Sequence, residues 1–243
     1  MARLSRAIDS MRRQLEGRPF VETFAADLSH ELKNPVAAIR ASAEVLEEGA
    51  IEDVEAARRF VARIREATDR IERLLREILG LASIEARGVE GFSAVDVGAV
   101  AREVVAALGP QQGRVRLDVT GDTRVRGDGV WLARALENLV DNALVHGDAA
   151  GTVAVAVDRA GEDVRVRVTN PGSVPAHARK RAFRRFVTTR ADRGGTGLGL
   201  AIVRAVAEAH GGRAELAEGG PPTVEFQVAL PAYREGVAVT DAA

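Results

Sequence analysis

Phe60, Ile64, Ala67, Ile71, Leu74, Ile78 and Leu81 follow one another at spacings of 4, 3, 4, 3, 4 and 3 residues. Only an α-helix brings such a series onto one face, and the 3.5-residue period makes that face the seam of a helical bundle. The other face carries acid-before-base pairs four residues apart: Glu55 and Arg59, Glu66 and Arg70, Asp69 and Arg73, Glu72 and Arg76. Each adds about 0.3 kcal/mol to the helix, which supports the assignment without deciding it. A helix from about 52 to 84 is roughly 50 Å long, too long to stand alone in water.

The preceding segment supplies a partner. Val21, Phe24, Leu28, Leu32, Ile39 and Leu46 form a second stripe, and Glu48-Gly49-Ala50 reads as the turn between the two helices. One such hairpin leaves its open side apolar. A second copy would cover it, giving a four-helix bundle across a dimer axis; packing onto the rest of the same chain is the alternative. Upstream, Leu4, Ile8, Met11 and Leu15 continue a 4, 3, 4 stripe as far as Gly17.

Glycine then changes the grammar of the chain: 3 of its 24 glycines lie before residue 88 and 21 from residue 88 onward. Alternating apolar residues predict strands over 92–97, 115–119, 152–157, 164–169, 214–217 and 223–229, with helices over 97–108, 130–145 and 199–209. Asp128 and Gly129 stand where the second of these helices needs its cap. The expected fold is an antiparallel helical hairpin in a dimeric four-helix bundle, followed by an α/β sandwich with helices on one face of a mixed sheet. The boundaries are 1–18 for an N-terminal helix end, 19–87 for the hairpin, 91–232 for the α/β domain and 233–243 for a small, polar, disordered tail.

Composition removes several classes of function. Lys plus Arg number 34 against 35 Asp plus Glu, a net charge of -1, which argues against coating nucleic acid or an acidic membrane. There is no Cys, so disulfides, thiolate zinc sites and cysteine nucleophiles are excluded. No apolar run approaches the roughly 18 residues that cross a bilayer, and no signal peptide is recognisable. The expectation is a soluble cytoplasmic chain.

The first chemistry lies in residues 24–35, Phe-Ala-Ala-Asp-Leu-Ser-His-Glu-Leu-Lys-Asn-Pro. On a helix Leu28 and Leu32 point the same way, so His30, midway between them, faces the opposite side. Glu31 follows it, Asn34 shares its face one turn on, and Pro35 interrupts the hydrogen-bond ladder, at a cost of about 3 kcal/mol. An exposed imidazole beside a carboxylate is a candidate nucleophile: one ring nitrogen attacks phosphorus while Glu31 takes the proton from the other. Asn34 could position a water.

Two features of the second half belong together. In Glu137-Asn138-Leu139-Val140-Asp141-Asn142, Asn138 and Asn142 share a helix face and offer amide oxygens to a Mg²⁺ that bridges phosphates. Gly194-Gly195-Thr196-Gly197-Leu198-Gly199 opens into an amphipathic helix, whose free N–H groups and dipole attract anions. The glycine spacing is not that of a dinucleotide-binding turn, and there is no Gly-Lys-Ser/Thr of a P-loop.

Ser-His-Glu-Leu-Lys-Asn-Pro resembles the phosphoacceptor box of sensor histidine kinases of two-component systems. Asn-Leu-Val-Asp-Asn-Ala looks like their N box, Gly-Thr-Gly-Leu-Gly-Leu-Ala-Ile-Val like their second glycine box, and Ala182-Phe183-Arg184-Arg185-Phe186 is similar to the phenylalanine box before the ATP lid. The order and separations match across roughly residues 20–231. The resemblance implies a phosphoacceptor hairpin followed by a Bergerat-fold ATP domain, with ATP and Mg²⁺ as ligands. It implies a lid over about 172–196 and transfer of the γ-phosphoryl to His30 in a homodimer. The next acceptor would be an aspartate of a response-regulator receiver, docking near His30 and Lys33. Glu31 and Asn34 would support dephosphorylation of that receiver. Residues 1–18 resemble the end of a HAMP relay, which implies an upstream membrane sensor region. ATPases of the superfamily carry a general-base Glu one turn before the metal-binding Asn142. Asn138 stands there instead, which favours transfer over hydrolysis.

Some positions depart from the family pattern. The first glycine box usually reads Asp-x-Gly-x-Gly, with the Asp accepting from the adenine amino group; here it reads Asn170-Pro171-Gly172-Ser173-Val174. A carboxylate acceptor is stronger than an amide by about 1 kcal/mol. Val145 and His146 replace the usual Lys–Tyr pair, and Arg181, Arg185 or Arg190 could supply a phosphate cation. The alternative to an active kinase is therefore a module with impaired nucleotide binding, a pseudokinase or phosphatase that binds the regulator. A gyrase-class ATPase is the third possibility.

Overall fold

The computed structural model describes residues 28–87, 91–148, 150–188 and 195–234. The chain forms two compact units, Met1–Arg76 and Glu77–Ala243. The expected N-terminal stripe, together with Val21 and Phe24, lies outside the described residues.

In the first unit, helix α1 covers 28–45 and runs without a break through Pro35. Proline has no N–H, so the Glu31 carbonyl lacks the donor that position 35 would otherwise supply. A tight turn over Leu46–Ala50 follows, with Gly49 at φ 118°, a conformation costly for any residue with a Cβ. Helix α2, Val54–Arg87, starts under Asp53, whose carboxylate accepts from the N–H groups of Glu55 and Ala56 at 2.9 and 3.2 Å. The heptad stripe lies along its covered side: Ala67 and Leu74 are buried, and Phe60, Ile64 and Ile71 are half-buried. Of the expected surface pairs, Glu72–Arg76 forms at 3.5 Å, while Glu55 turns to Arg58 at 3.2 Å. Arg70 reaches across to Glu31 on α1 rather than back to Glu66.

The second unit begins inside α2, upstream of the boundary that composition places at 87–91. Leu81, the last stripe residue, and Ile84 beyond it join the hydrophobic core of the α/β domain, which pulls the end of the helix into this unit. Strand β1 (Ser93–Asp96) leads into α3 (Val97–Ala106), then β2 (Val115–Thr120), β3 (Arg124–Gly127) and α4 (Gly129–His146). β4 (Val153–Ala160), β5 (Asp163–Pro171) and the single turn α5 (Ala176–Arg179) follow. The chain then forms α6 (Gly199–Ala209), β6 (Arg213–Gly219) and β7 (Thr223–Pro231).

The main sheet has the order β2-β4-β5-β7-β6, with β2 and β4 parallel and every other pair antiparallel. One face is valine-rich: Val155, Val157, Val164, Val166 and Val168 are buried against α3, α4 and α6. Each such side chain contributes about 1.5–3 kcal/mol relative to exposure. The opposite face is polar, with Arg167 bonded to Asp158 at 2.7 Å, Thr169 donating to Glu225 at 3.0 Å and Gln227 to Glu215 at 3.0 Å. This is the expected sandwich. β3 was not foreseen, because Arg-Val-Arg-Gly offers a single apolar residue, Val125; pairing with β1 makes it a strand. The domain also extends past residue 232. The N–H of Tyr233 donates to the Arg124 carbonyl at 2.7 Å and Arg234 pairs with Glu162. Only the remainder of the expected tail lies outside the described residues. Among the described residues, no helix is long and apolar enough to cross a membrane.

Candidate functional site

His30 stands exposed on α1, while Leu28 and Leu32 are half-covered on the opposite side, as the periodicity requires. Its imidazole makes no hydrogen bond to the described residues. Lys33 and Asn34 are exposed beside it. Glu31 is different: its carboxylate Oε2 accepts from an Arg70 guanidinium N–H at 2.9 Å, and the two side chains are 17% and 15% exposed. The arrangement is a solvent-facing imidazole next to a carboxylate held in place from the facing helix.

In the second unit α4 is the organising element. Asp128 caps it, accepting from Val130 and Trp131 N–H groups at 2.8 and 3.1 Å, as expected from sequence. Asn138 donates through Nδ2 to the Arg134 carbonyl at 2.8 Å, which fixes its rotamer and directs Oδ1 elsewhere. That oxygen lies against Gly199: a Cβ there would come within 2.7 Å of it. The two sequence-predicted motifs therefore meet at Asn138 and Gly199. Asn142, one turn on, is half-buried and makes no hydrogen bond to the described residues.

The C-terminal end of α4 meets β5 at Asn170, which is 3% exposed. Asn170 Nδ2 donates to the Pro171 carbonyl at 2.9 Å. Its amide oxygen makes no hydrogen bond within the described chain and is the acceptor left over. Gly147 and Gly172 flank it: a Cβ on Gly147 would lie 3.1 Å from Nδ2, and one on Gly172 3.5 Å.

Helix α6 starts at Gly199 with no side-chain cap, so its first N–H groups point outward unpaired within the helix. Thr196 is buried and its hydroxyl accepts from the Leu198 N–H at 3.3 Å, while Leu198 is fully buried. Gly197 has φ +69° and packs backbone to backbone on Phe186: a Cβ there would meet Phe186 Cα at 2.7 Å and Val187 N at 2.8 Å. Phe186 itself has φ +58°. Gly195 lies half-exposed at the edge of this clasp. Phe183 anchors the clasp to the sheet through an edge-on contact with Phe226, centroids 5.8 Å apart. Among the candidate phosphate cations, Arg181 is exposed, Arg185 is engaged within the chain, and Arg190 lies outside the described residues.

Sequence reasoning missed Arg70, because helix periodicity assigned it a local partner. It missed Gly147 as a site residue, although a glycine just after a long helix is a recognisable signal of a cap or close approach. The positive φ of Phe186 had no sequence signal at all.

The family described as the His Kinase A (phospho-acceptor) domain matches residues 20–87. The family of histidine kinase-, DNA gyrase B- and HSP90-like ATPases matches residues 127–234. The chain is similar to the sensor protein CreC of Escherichia coli, 36% identical over 222 residues that cover 89% of this chain and 46% of CreC. It is also similar to the sensor-like histidine kinase SenX3 of Mycobacterium tuberculosis, 33% identical over 224 residues, 87% of this chain and 54% of SenX3. The chain thus spans about half the length of the curated relatives it matches. Among solved structures, full-length ShkA in complex with AMPPNP matches with a TM-score of 0.60 and 26% identity, over 85% of this chain and 45% of ShkA. An exposed histidine on a helical hairpin, an asparagine helix facing a glycine turn, and these two families in this order have one common reading: the chain belongs to the sensor histidine kinases of two-component systems.

Proposed function

We propose that the chain is an ATP-dependent protein-histidine autokinase that phosphorylates His30 and passes the phosphoryl group to an aspartate of a response-regulator receiver, with phosphatase action on the same receiver. The observation that carries the reading is the exposed His30 imidazole beside the tethered Glu31 carboxylate. One ring nitrogen attacks the γ-phosphorus and Glu31 takes the proton from the other. Asn34, on the same face, would orient the water of the reverse, hydrolytic direction. The exposed surface around His30 and Lys33 is the proposed receiver contact.

The nucleotide would lie between α4 and α6. The unengaged oxygen of Asn170 accepts from the adenine amino group, and Gly172 and Gly147 leave room for the base. The uncapped N-terminus of α6, with Gly195, Thr196, Gly197, Leu198 and Gly199, presents N–H groups to the phosphates. Asn138 and Asn142 provide hard amide oxygens, a donor set that fits Mg²⁺ with most of its waters kept; the ion would neutralise phosphate charge. Asn138, bonded to its own helix, cannot act as a base, which supports transfer over hydrolysis. Buried Asn170 with its acceptor oxygen uncommitted favours this reading over the nucleotide-impaired module. A homodimer belongs to the same proposal: Val54, Val61 and Leu75, multiples of seven apart on α2, are 62%, 49% and 56% exposed. An upstream membrane sensor region is also part of the proposal; the names of the relatives support the sensor.

Incubation with γ-labelled ATP and Mg²⁺ tests the proposal. Wild type should gain an acid-labile, base-stable label that His30→Gln lacks. A folded wild type without label would overturn it, and a label surviving His30→Gln would place the phosphoryl elsewhere.

A further inference from the structure

The Arg70–Glu31 pair is unlike the other ion pairs of the hairpin. Its side chains are 15% and 17% exposed, where those of Arg40–Glu44, Arg58–Glu55 and Arg76–Glu72 are all 55% or more. Arg70 forgoes Glu66, four residues back on its own helix, for a residue 39 positions away. A pair this covered is weakly screened by water, but it has also paid desolvation, so such pairs are poor devices for stability alone. It anchors the carboxylate that follows His30 directly in sequence. It does so where Pro35 has removed a backbone hydrogen bond from Glu31, leaving the helix there one restraint short.

We propose that Arg70 is a positioning residue for phosphoryl transfer at His30. By holding Oε2 of Glu31 it fixes the carboxylate and leaves Oε1 to accept the imidazole proton. In that step the bond from a ring nitrogen to the γ-phosphorus forms and the bond from phosphorus to the bridging oxygen breaks. ADP departs with the electron pair, and the proton on the other ring nitrogen passes to Glu31. The inference rests on the autokinase reading of His30.

The test is single-turnover labelling by γ-labelled ATP across an ATP series, in wild type, R70Q, R70K, E31Q and E31Q/R70Q. R70Q should label about tenfold more slowly, less than the roughly hundredfold or more that loss of the general base itself would cost, with the ATP concentration for half-maximal rate unchanged. R70K should recover most of the loss, because a single N–H to oxygen contact needs a charge rather than a fork. The double variant should be no slower than E31Q, since Arg70 acts only through Glu31. If R70Q does not fold as a dimer, R70M, which keeps the apolar stem packed, takes its place in the series. Losses that multiply in the double variant, an unchanged rate in R70Q, or an effect confined to ATP affinity would each overturn the proposal while leaving the kinase reading intact. A folded wild type without His30-dependent label would overturn both.

Discussion

His210 is 7% exposed, at the junction of Phe92, Trp131 and the ends of α4 and α6. Its Nδ1–H donates to the Val206 carbonyl at 2.7 Å and its Nε2 accepts from the Asp128 N–H at 3.1 Å, a set of partners that requires the neutral ring. Phe92 stacks on it with centroids 4.5 Å apart, and a Cβ on Gly127 would lie within 2.4 Å of the ring. Burial pushes the imidazole below its ordinary 6.5, more than the Val206 carbonyl and the Asp128 charge raise it. The unfolded chain therefore binds the proton first. Stability from this group is complete above about pH 6.5 and is lost as pH falls below it, since there the unfolded state holds more protons than the folded one. Melting temperature should fall on acidification through this window. His210→Gln should be less stable at pH 7.5 yet show a flatter acid slope. An identical slope in the variant would assign the acid sensitivity to other groups.

The turn before α6 works as an element because two residues of positive φ meet. Gly197 at φ +69° lies on the Phe186 backbone, so the chain entering the glycine turn is clamped to the chain leaving the phenylalanine box. Gly197→Ala introduces a Cβ in a left-handed conformation and within 2.8 Å of backbone atoms that cannot rotate away. The expected cost is about 2–3 kcal/mol of local strain. Because it falls at the mouth of the proposed phosphate site, ATP affinity should drop by more than about tenfold, with the far-ultraviolet circular dichroism of the domain unchanged. Titration with a fluorescent ATP analogue measures this, and unaltered affinity would detach the clasp from nucleotide binding. Gly80 is a contrasting case within α2. It costs the helix about 1 kcal/mol relative to Ala, and the guanidinium of Arg134 occupies the space a Cβ would need. The helix gives up propensity for that close approach to α4.

For the whole molecule, the exposed apolar residues of α2 bear on assembly. Ile51, Val54 and Val61 line an open apolar groove near the hairpin turn. If a second copy covers it, Val61→Asp places a charge in a buried seam, where breaking the match costs about 3 kcal/mol or more. Light scattering should then report a monomer that retains helical content, with His30 labelling reduced; a persisting dimer would move the interface to another face. The two units, their order, the helical hairpin, the strand alternation and the candidate residues His30, Glu31, Asn34, Asn138, Asn142 and Gly197 were legible in the linear chain. Each rests on a period of 3.5 or 2 residues, or on residues close together in sequence, and such local regularities survive without knowledge of the fold. Arg70, Gly147, Phe186, β3 and the joining of Leu81 and Ile84 to the second core were not. Arg70 had an equally good partner four residues away, and β3 has one apolar residue. What selects among such options is the low-dielectric space and close packing that form only when distant segments meet, so the tether on Glu31 and the burial of Asn170 were decided by tertiary structure.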